Sequence, residues 1–178
     1  MRVLIFNGSL ERRANATSHK ITAHLKASLE ALNAEVIVYD LAQSGIPLFD
    51  LALTEWPKAA YAMNDLFRSA DHHIWLTPLY HGGMTGVMKN CLDWLELSSK
   101  EVKPYLTNKR VGLICWADGS QAMQGINNMD AVAKALRAWS LPFSIPIARS
   151  GLFNSSGELS AEYIKKIQVL TSMLVQTV

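Results

Sequence analysis

Cysteine is scarce in this sequence: its 178 residues include two, Cys91 and Cys115. They are far apart along the chain and each lies in an apolar stretch, which favours buried free thiols over a disulfide. No Cys-x-x-Cys pair or cysteine–histidine spacing of the kind that binds zinc is present. The histidine pairs, His72 with His73 and His19 with His24, lack further metal ligands, so we predict no metal site and structural or exposed histidines.

Long hydrophobic runs and a strong net charge are also missing. No apolar stretch approaches the ~20 residues of a membrane helix, and the apolar run near the start is too short for a signal peptide. The 17 basic and 15 acidic residues give a formal charge of +2, and the basic residues are scattered. This argues against a nucleic-acid partner. We therefore expect a cytoplasmic protein with no membrane and no nucleic-acid partner.

The remaining composition is that of a folded globular protein. Hydrophobic residues make up 49% of the chain and charged residues 18%, which is ample for one core. The length suits one domain, and no linker, repeat or low-complexity tract divides it. We predict a single domain over residues 1–178.

Short apolar runs alternate with segments of helical periodicity. The strands are predicted at Val3–Asn7, Glu35–Asp40, His72–Pro78, Arg110–Ala117 and Pro142–Ala148, and the helices at about 15–32, 58–69, 87–97, 127–139 and 160–176. Five strand–helix repeats indicate an α/β fold, a doubly wound five-stranded parallel sheet with helices on both faces. We predict the strand order 2-1-3-4-5. Pro146 cannot donate to a ladder, which puts the fifth strand at an edge.

In such sheets ligands bind beyond the carboxyl ends of the strands, where the winding reverses. The loops after strands one, three and four are also the richest in glycine and polar residues. Their coincidence with the expected ligand edge is the first indication of function.

The first loop, Asn7–His19, has Gly8 and Ser9 followed by Asn15, Thr17 and Ser18 at the start of the first helix. Hydroxyl groups and backbone N–H groups at a helix N-terminus suit a phosphate. The loop matches neither the P-loop nor the Gly-x-Gly-x-x-Gly pattern. Alternatively, Asn15 or Thr17 caps the helix and does nothing else. Arg12 and Arg13 are both candidates for a phosphate contact.

The stretch from Trp75 to Asn90 reads WLTPLYHGGMTGVMKN. Gly82, Gly83 and Gly86 would let the backbone approach a flat ligand closely. Tyr80 and His81 could pack beside an aromatic ring or hydrogen-bond to it. The alternative is a glycine-rich connector between a strand and a helix.

The third loop contains Asp118, Gly119 and Ser120, which form a turn signature. A tight turn explains these residues fully. As part of a site, their backbone amides would close the far side of the same cleft.

Together these residues resemble the NADPH-dependent FMN reductase family of flavodoxin-like proteins, which includes flavin, quinone, azo-dye and chromate reductases. The family's middle loop reads roughly T-P-x-Y-N-G-x-x-P-G-x-L-K-N-x-x-D-W. This chain matches it in register at Thr77, Pro78, Tyr80, Gly82, Gly86, Lys89, Asn90, Asp93 and Trp94. Gly8-Ser9 matches the family's opening Gly-Ser, and the segment Asp40–Asp50 resembles its second loop.

Three positions depart from the family pattern. Glu11 stands where the family often has an arginine, two residues after the serine, which leaves the arginine contacts to phosphate open. His81 replaces the usual asparagine, and Thr85 replaces a frequent proline. The last two changes lie at the edge of the flavin site that the resemblance implies.

The resemblance implies bound FMN, with NADPH or NADH as co-substrate. It places the phosphate on Ser9, Asn15, Thr17 and Ser18, and the ring on the backbone of Pro78, Leu79, Tyr80, His81, Gly82 and Gly83, with Asp118 and Gly119 opposite. The protein would pass hydride from a nicotinamide via FMN to a flavin, quinone or similar small acceptor by a ping-pong mechanism. No side chain is nominated as catalytic, since the cofactor carries the hydride.

Members of this family are commonly homodimers or homotetramers, so the resemblance also implies a homo-oligomer. Two other functions stay open. One is a flavodoxin-type electron carrier without NAD(P)H oxidase activity, which the near-neutral charge disfavours, since such carriers are usually strongly acidic. The other is a flavin-free binding module that keeps the fold.

Overall fold

A parallel sheet organises the chain, and the computed structural model describes residues 1–176. Within that range the six strands are β1 Arg2–Asn7, β2 Glu35–Asp40, β3 His72–Pro78, β4 Arg110–Ala117, β5 Trp139–Ser140 and β6 Ile145–Ala148. The order is β2-β1-β3-β4-β5, with β6 also paired to β4. The predicted order 2-1-3-4-5 is therefore confirmed. The predicted domain, 1–178, includes two residues that lie outside the described range.

The edge beyond β4 is one interrupted strand. β5 pairs in parallel with the start of β4 at Arg110, and β6 pairs with its end at Ile114–Ala117. The predicted fifth strand, Pro142–Ala148, thus corresponds to β6 with a short segment before it. The break spans residues 141–144 and contains Pro142, which has no N–H to offer a ladder. Pro146 lies in β6 at the sheet edge, as its missing donor requires.

Helices cover both faces of the sheet. Helices α1 Thr17–Glu30 and α5 Ala161–Val175 share one apolar core with alternate residues of β1, Val3 and Ile5. Helices α2 Lys58–Ser69, α3 Gly86–Asp93 and α4 Ala122–Ala135 share the other core with Leu4 and Phe6. Strand residues are apolar on both faces because both faces are buried, which is why the strands read as continuous hydrophobic runs.

Helix α4 differs most from its predicted position, 127–139. It begins at Ala122 and ends at Ala135. Gly125 lets it lie close to β4, since a Cβ there would stand 2.4 Å from the Cys115 sulfur. Trp139 lies outside the helix, in β5, and is 67% exposed.

The cysteines and the histidines of β3 agree with prediction. Cys91 and Cys115 are free and buried, and His73 is fully buried. Burial raises the pKa of each thiol to about 12. No helix between residues 1 and 176 has the length and apolar character to cross a membrane. The same residues contain no cluster of three or more His, Cys, Asp or Glu placed to hold a metal.

Candidate functional site

The loops at the carboxyl ends of β1, β3, β4 and β6 enclose a cleft of about 340 Å³. That volume is within the range of small-molecule sites, roughly 300–1,000 Å³. Eight of the twelve residues predicted from the sequence line it: Ser9, Asn15, Thr17, Ser18, Pro78, Leu79, Tyr80 and Asp118. The other four, His81, Gly82, Gly83 and Gly119, belong to the same loops but do not line the cleft wall.

The first wall is the N-terminus of α1, which has no side-chain cap. The helix begins at Thr17 with Ala16 in the N-cap position, so the alternative in which Asn15 or Thr17 caps it is wrong. The N–H groups of the first turn are therefore left for another acceptor. The Ser18 hydroxyl is buried and has no hydrogen-bond partner among the described residues. An uncapped helix N-terminus with an unpaired hydroxyl is the arrangement that an anion would complete.

The second wall ends in a two-residue turn. Tyr80 and Gly83 exchange backbone hydrogen bonds, both 3.1 Å long. Between them His81 and Gly82 have φ of 48° and 86°, and two positive φ values define a type I′ turn. Across the described chain, the N–H groups of His81 and Gly82 have no hydrogen-bond acceptor. The turn is braced by α4, where the Asn128 side chain accepts the Met84 N–H at 3.1 Å.

Thr85 joins the first loop to the second. Its hydroxyl donates to the Gly8 carbonyl at 2.8 Å and accepts the Met88 N–H at 3.1 Å as the N-cap of α3. Its own N–H donates to the Thr77 hydroxyl at 3.3 Å. A proline in this position would have neither the N–H nor the hydroxyl. The departure at Thr85 therefore adds contacts that hold the two loops together.

The later part of the matched motif builds the scaffold. The Asn90 side chain donates to the Pro47 carbonyl at 2.9 Å and accepts the Phe49 N–H at 2.8 Å. The Trp94 indole donates to the same Pro47 carbonyl at 2.9 Å. These contacts fasten the loop after β2 to α3. The motif therefore divides into residues at the cleft, Pro78 and Tyr80, and residues that support it.

Two arginines reach the cleft, and each is paired with an acid. Arg13 makes two hydrogen bonds to Glu11, at 2.9 and 2.6 Å. The bond to Arg13 lowers the pKa of Glu11, and Glu11 in turn raises the pKa of Arg13. Arg149 pairs with Asp118 at 3.2 Å. Arg12 is exposed and does not line the cleft.

Sequence reasoning missed the contribution of the loop after β6. Arg149 and Phe153 come from that loop, and Trp116 and Ala117 from the end of β4. The prediction places the site in the loops after strands one, three and four. The signal was available, because the fifth parallel strand also ends at the carboxyl edge of the sheet.

A second cavity of about 680 Å³ adjoins the first. It shares four lining residues with the cleft, including Pro78 and Tyr80, and adds the apolar side chains of Leu10 and Val87. Tyr80 is 61% exposed and Leu10 is 53% exposed. A ligand in the cleft would therefore be open to a second molecule on the side of Tyr80.

The sequence model of the NADPH-dependent FMN reductases matches residues 1–150. The chain belongs to the NADPH-dependent FMN reductase family. It is 30% identical over 176 residues to the NADPH-dependent FMN reductase ArsH of Rhizobium meliloti, covering 97% of this chain and 70% of that protein. It is 27% identical over 150 residues to an FMN-dependent NADPH-azoreductase of Staphylococcus saprophyticus, covering 82% and 76%.

Among solved structures, the chain resembles the flavoenzyme NAD(P)H:(acceptor) oxidoreductase FerB of Paracoccus denitrificans. The TM-score is 0.79 at 18% identity, covering 98% of this chain and 94% of that one. The chain also resembles a flavodoxin from the domain Archaea, with a TM-score of 0.63 at 9% identity, covering 98% of this chain and 96% of that one, which confirms the flavodoxin-like fold. Membership of the family confirms the prediction of an FMN- and NADPH-dependent oxidoreductase at the level of the family.

Proposed function

We propose that this protein is an FMN-dependent NAD(P)H oxidoreductase that reduces a flavin, quinone or similar small acceptor by a ping-pong mechanism. The observation that carries the proposal is the uncapped N-terminus of α1 with the unpaired Ser18 hydroxyl, in one cleft with Pro78 and Tyr80. The residues present fit a flat ligand that ends in a phosphate. We propose that the chain acts as one domain in the cytoplasm, where two free thiols are expected.

In this proposal the phosphate lies on the first loop, and the ring lies along the second loop with the third opposite. The phosphate ligands are Ser9, Asn15, Thr17 and Ser18, the ring lies on Pro78, Leu79, Tyr80, His81, Gly82 and Gly83, and Asp118 and Gly119 face it. The helix N-terminus favours the phosphate by its dipole and its N–H groups.

Bound FMN would accept and release the hydride, so the chain itself needs no nucleophile or general base. The chain's part is to bind and orient. The N–H groups of His81 and Gly82 have no acceptor among residues 1–176 and are available to the ring edge, where negative charge develops. No side chain is proposed as catalytic.

The adjoining cavity would take the nicotinamide and the acceptor in turn. It is the more apolar side of the site, with Leu10 and Val87 on its wall. One cavity that serves two flat substrates at different times is the structural basis of ping-pong turnover. The exposed side chains of Leu48 and Leu51, on the loop fastened to α3, offer apolar surface for a homodimer or homotetramer.

The test is steady-state oxidation of NADPH by the FMN-loaded protein with a quinone, free flavin or azo dye as acceptor. Initial rates at several fixed acceptor concentrations should give parallel double-reciprocal lines, because the two substrates bind in turn. Intersecting lines would exclude the ping-pong mechanism.

Two other results would identify the alternatives. A protein that binds FMN but oxidises no NADPH with any acceptor is an electron carrier. A protein that purifies colourless and gains no thermal stability from FMN is a flavin-free module.

A further inference from the structure

We propose that Arg149, on the loop after β6, binds the phosphate of FMN, and that Asp118 is its counter-ion when no phosphate is bound. This inference rests on the proposed function, since it needs FMN in the cleft. It adds a residue to the cofactor site from a loop that lies outside the matched family motif.

Position is the first argument. Arg149 and Phe153 line the same cleft as Ser9 and Ser18. The Phe153 ring lies 4.7 Å from the amino group of Lys20, a residue in the first turn of α1. The loop after β6 therefore abuts the helix N-terminus, where the buried Ser18 hydroxyl has no partner within the described chain.

The second argument concerns the other arginine of the cleft. Arg13 uses two of its nitrogens on both carboxylate oxygens of Glu11. This bidentate geometry is the strongest that an arginine and a carboxylate form. Glu11 stands where the family often has arginine, and it pairs with Arg13, the first-loop arginine that lines the cleft. A free cation for the phosphate would then come from another loop.

Arg149 is easier to release. Its pair with Asp118 is a single contact of 3.2 Å, and the two side chains are 52% and 86% exposed. An exposed pair of this kind contributes little. A phosphate dianion held at a helix N-terminus offers more charge and more acceptor oxygens. We therefore expect Arg149 to exchange the Asp118 carboxylate for the phosphate.

The experiment compares FMN with riboflavin, which has the same ring and lacks the phosphate. Affinities are measured by titration of flavin fluorescence with the apo-protein. Arg149→Gln should weaken FMN binding roughly tenfold or more, since a charge-assisted bond to phosphate is lost. Riboflavin binding should not change. Equal weakening for both flavins would overturn the proposal, because Arg149 would then act on the ring or on the loop.

Arg12→Gln is the matched control. It removes the same charge from an exposed arginine outside the cleft and should leave both affinities unchanged. If it weakens FMN binding as much as Arg149→Gln does, the effect is one of overall charge and the proposal fails.

Asp118→Asn should change the affinity for FMN in the opposite direction to Arg149→Gln. It removes the competing carboxylate and should tighten FMN binding by a few-fold relative to riboflavin, because any contact of Asp118 with the ring affects both flavins alike. Weaker FMN binding in this variant would contradict the counter-ion role. If Asp118→Asn and Arg149→Gln both weaken FMN binding, the ion pair holds the loop in place and Arg149 does not exchange the Asp118 carboxylate for the phosphate.

The outcomes separate this inference from the proposed function. If the unaltered protein binds no flavin, the proposed function and the inference both fail. If the unaltered protein binds FMN and Arg149→Gln does so equally well, the inference alone fails. A raised KM for NADPH at unchanged FMN affinity would assign Arg149 to the nicotinamide substrate and overturn the proposal.

Discussion

At the scale of single residues, His81 holds a backbone conformation that residues other than glycine rarely adopt. It is the first central residue of the type I′ turn, with φ of 48°. That conformation costs free energy for residues other than glycine, and among those residues asparagine is preferred at this position. The side chain lies at the rim and does not line the cleft, so its effect on the site passes through the turn.

We predict that His81→Asn raises stability by about 0.5 kcal/mol, because asparagine suits the first position of a type I′ turn better. FMN should still bind, with a change in turnover or in acceptor preference. Urea unfolding and flavin titration measure the two effects. His81→Ala is the comparison, and it should be less stable than the unaltered protein. Complete loss of FMN in His81→Asn would show that the histidine side chain itself holds the cofactor.

At the scale of elements, the site depends on how loops are fastened to one another. Thr85 ties the end of β1 to the start of α3 through its hydroxyl. Asn90 and Trp94 fasten the loop after β2 to α3. Asn90 and Trp94, which match the family motif, therefore support the loops around the cleft and do not line it.

Thr85→Ala should lower the free energy of unfolding by about 1–2 kcal/mol, since it removes a helix cap and leaves the buried Gly8 carbonyl without its donor. Thr85→Ser keeps the hydroxyl and should recover most of that loss. Denaturant unfolding of both variants measures the difference. If serine and alanine destabilise equally, the methyl group of threonine matters and the hydrogen bonds do not.

At the scale of the whole molecule, the core on the α2 side contains a neutral histidine. His73 is fully buried, and its Nε2 lies 2.9 Å from the Phe67 carbonyl. Its other ring nitrogen has no partner among the described residues. Burial, with a smaller contribution from Lys109, lowers the pKa of His73 to about 3. Protonation would place an unpaired charge in the core.

The folded pKa of His73 is below the ordinary value of about 6.5, so the unfolded chain binds the proton more readily. The contribution of neutral His73 to the free energy of unfolding is therefore complete above pH ~6.5. It falls by up to about 1.4 kcal/mol per pH unit as the pH drops towards 3. Unfolding free energies at pH 7 and pH 5 measure it. His73→Gln should lose part of that pH dependence, whereas His24→Gln, on a partly exposed face of α1, should not. Equal pH dependence in all three proteins would contradict the prediction.

Much of the fold was predictable because its causes are local. Apolar runs of strand length and helical periodicity mark elements wherever they occur, and strand–helix alternation leaves few topologies. The bounds of β2, β3, β4 and α2 agree with prediction. The site loops were predictable from the same alternation, because parallel strands end at one edge. The edge strand was harder to predict. A tryptophan is typical of a core, but Trp139 lies in the short strand β5, which pairs with β4 at the edge of the sheet, and its side chain is exposed.

The sequence by itself determined the doubly wound sheet, the edge that carries the cleft and the three loops that build most of it. Only the tertiary structure decided which charges meet there. Arg149 and Asp118 are 31 residues apart and pair because β4 and β6 are neighbours. The missing cap of α1 and the unpaired Ser18 hydroxyl also follow from three-dimensional placement. Hydrogen bonds and ion pairs act over a few ångströms in space, and distance along the chain does not reveal them.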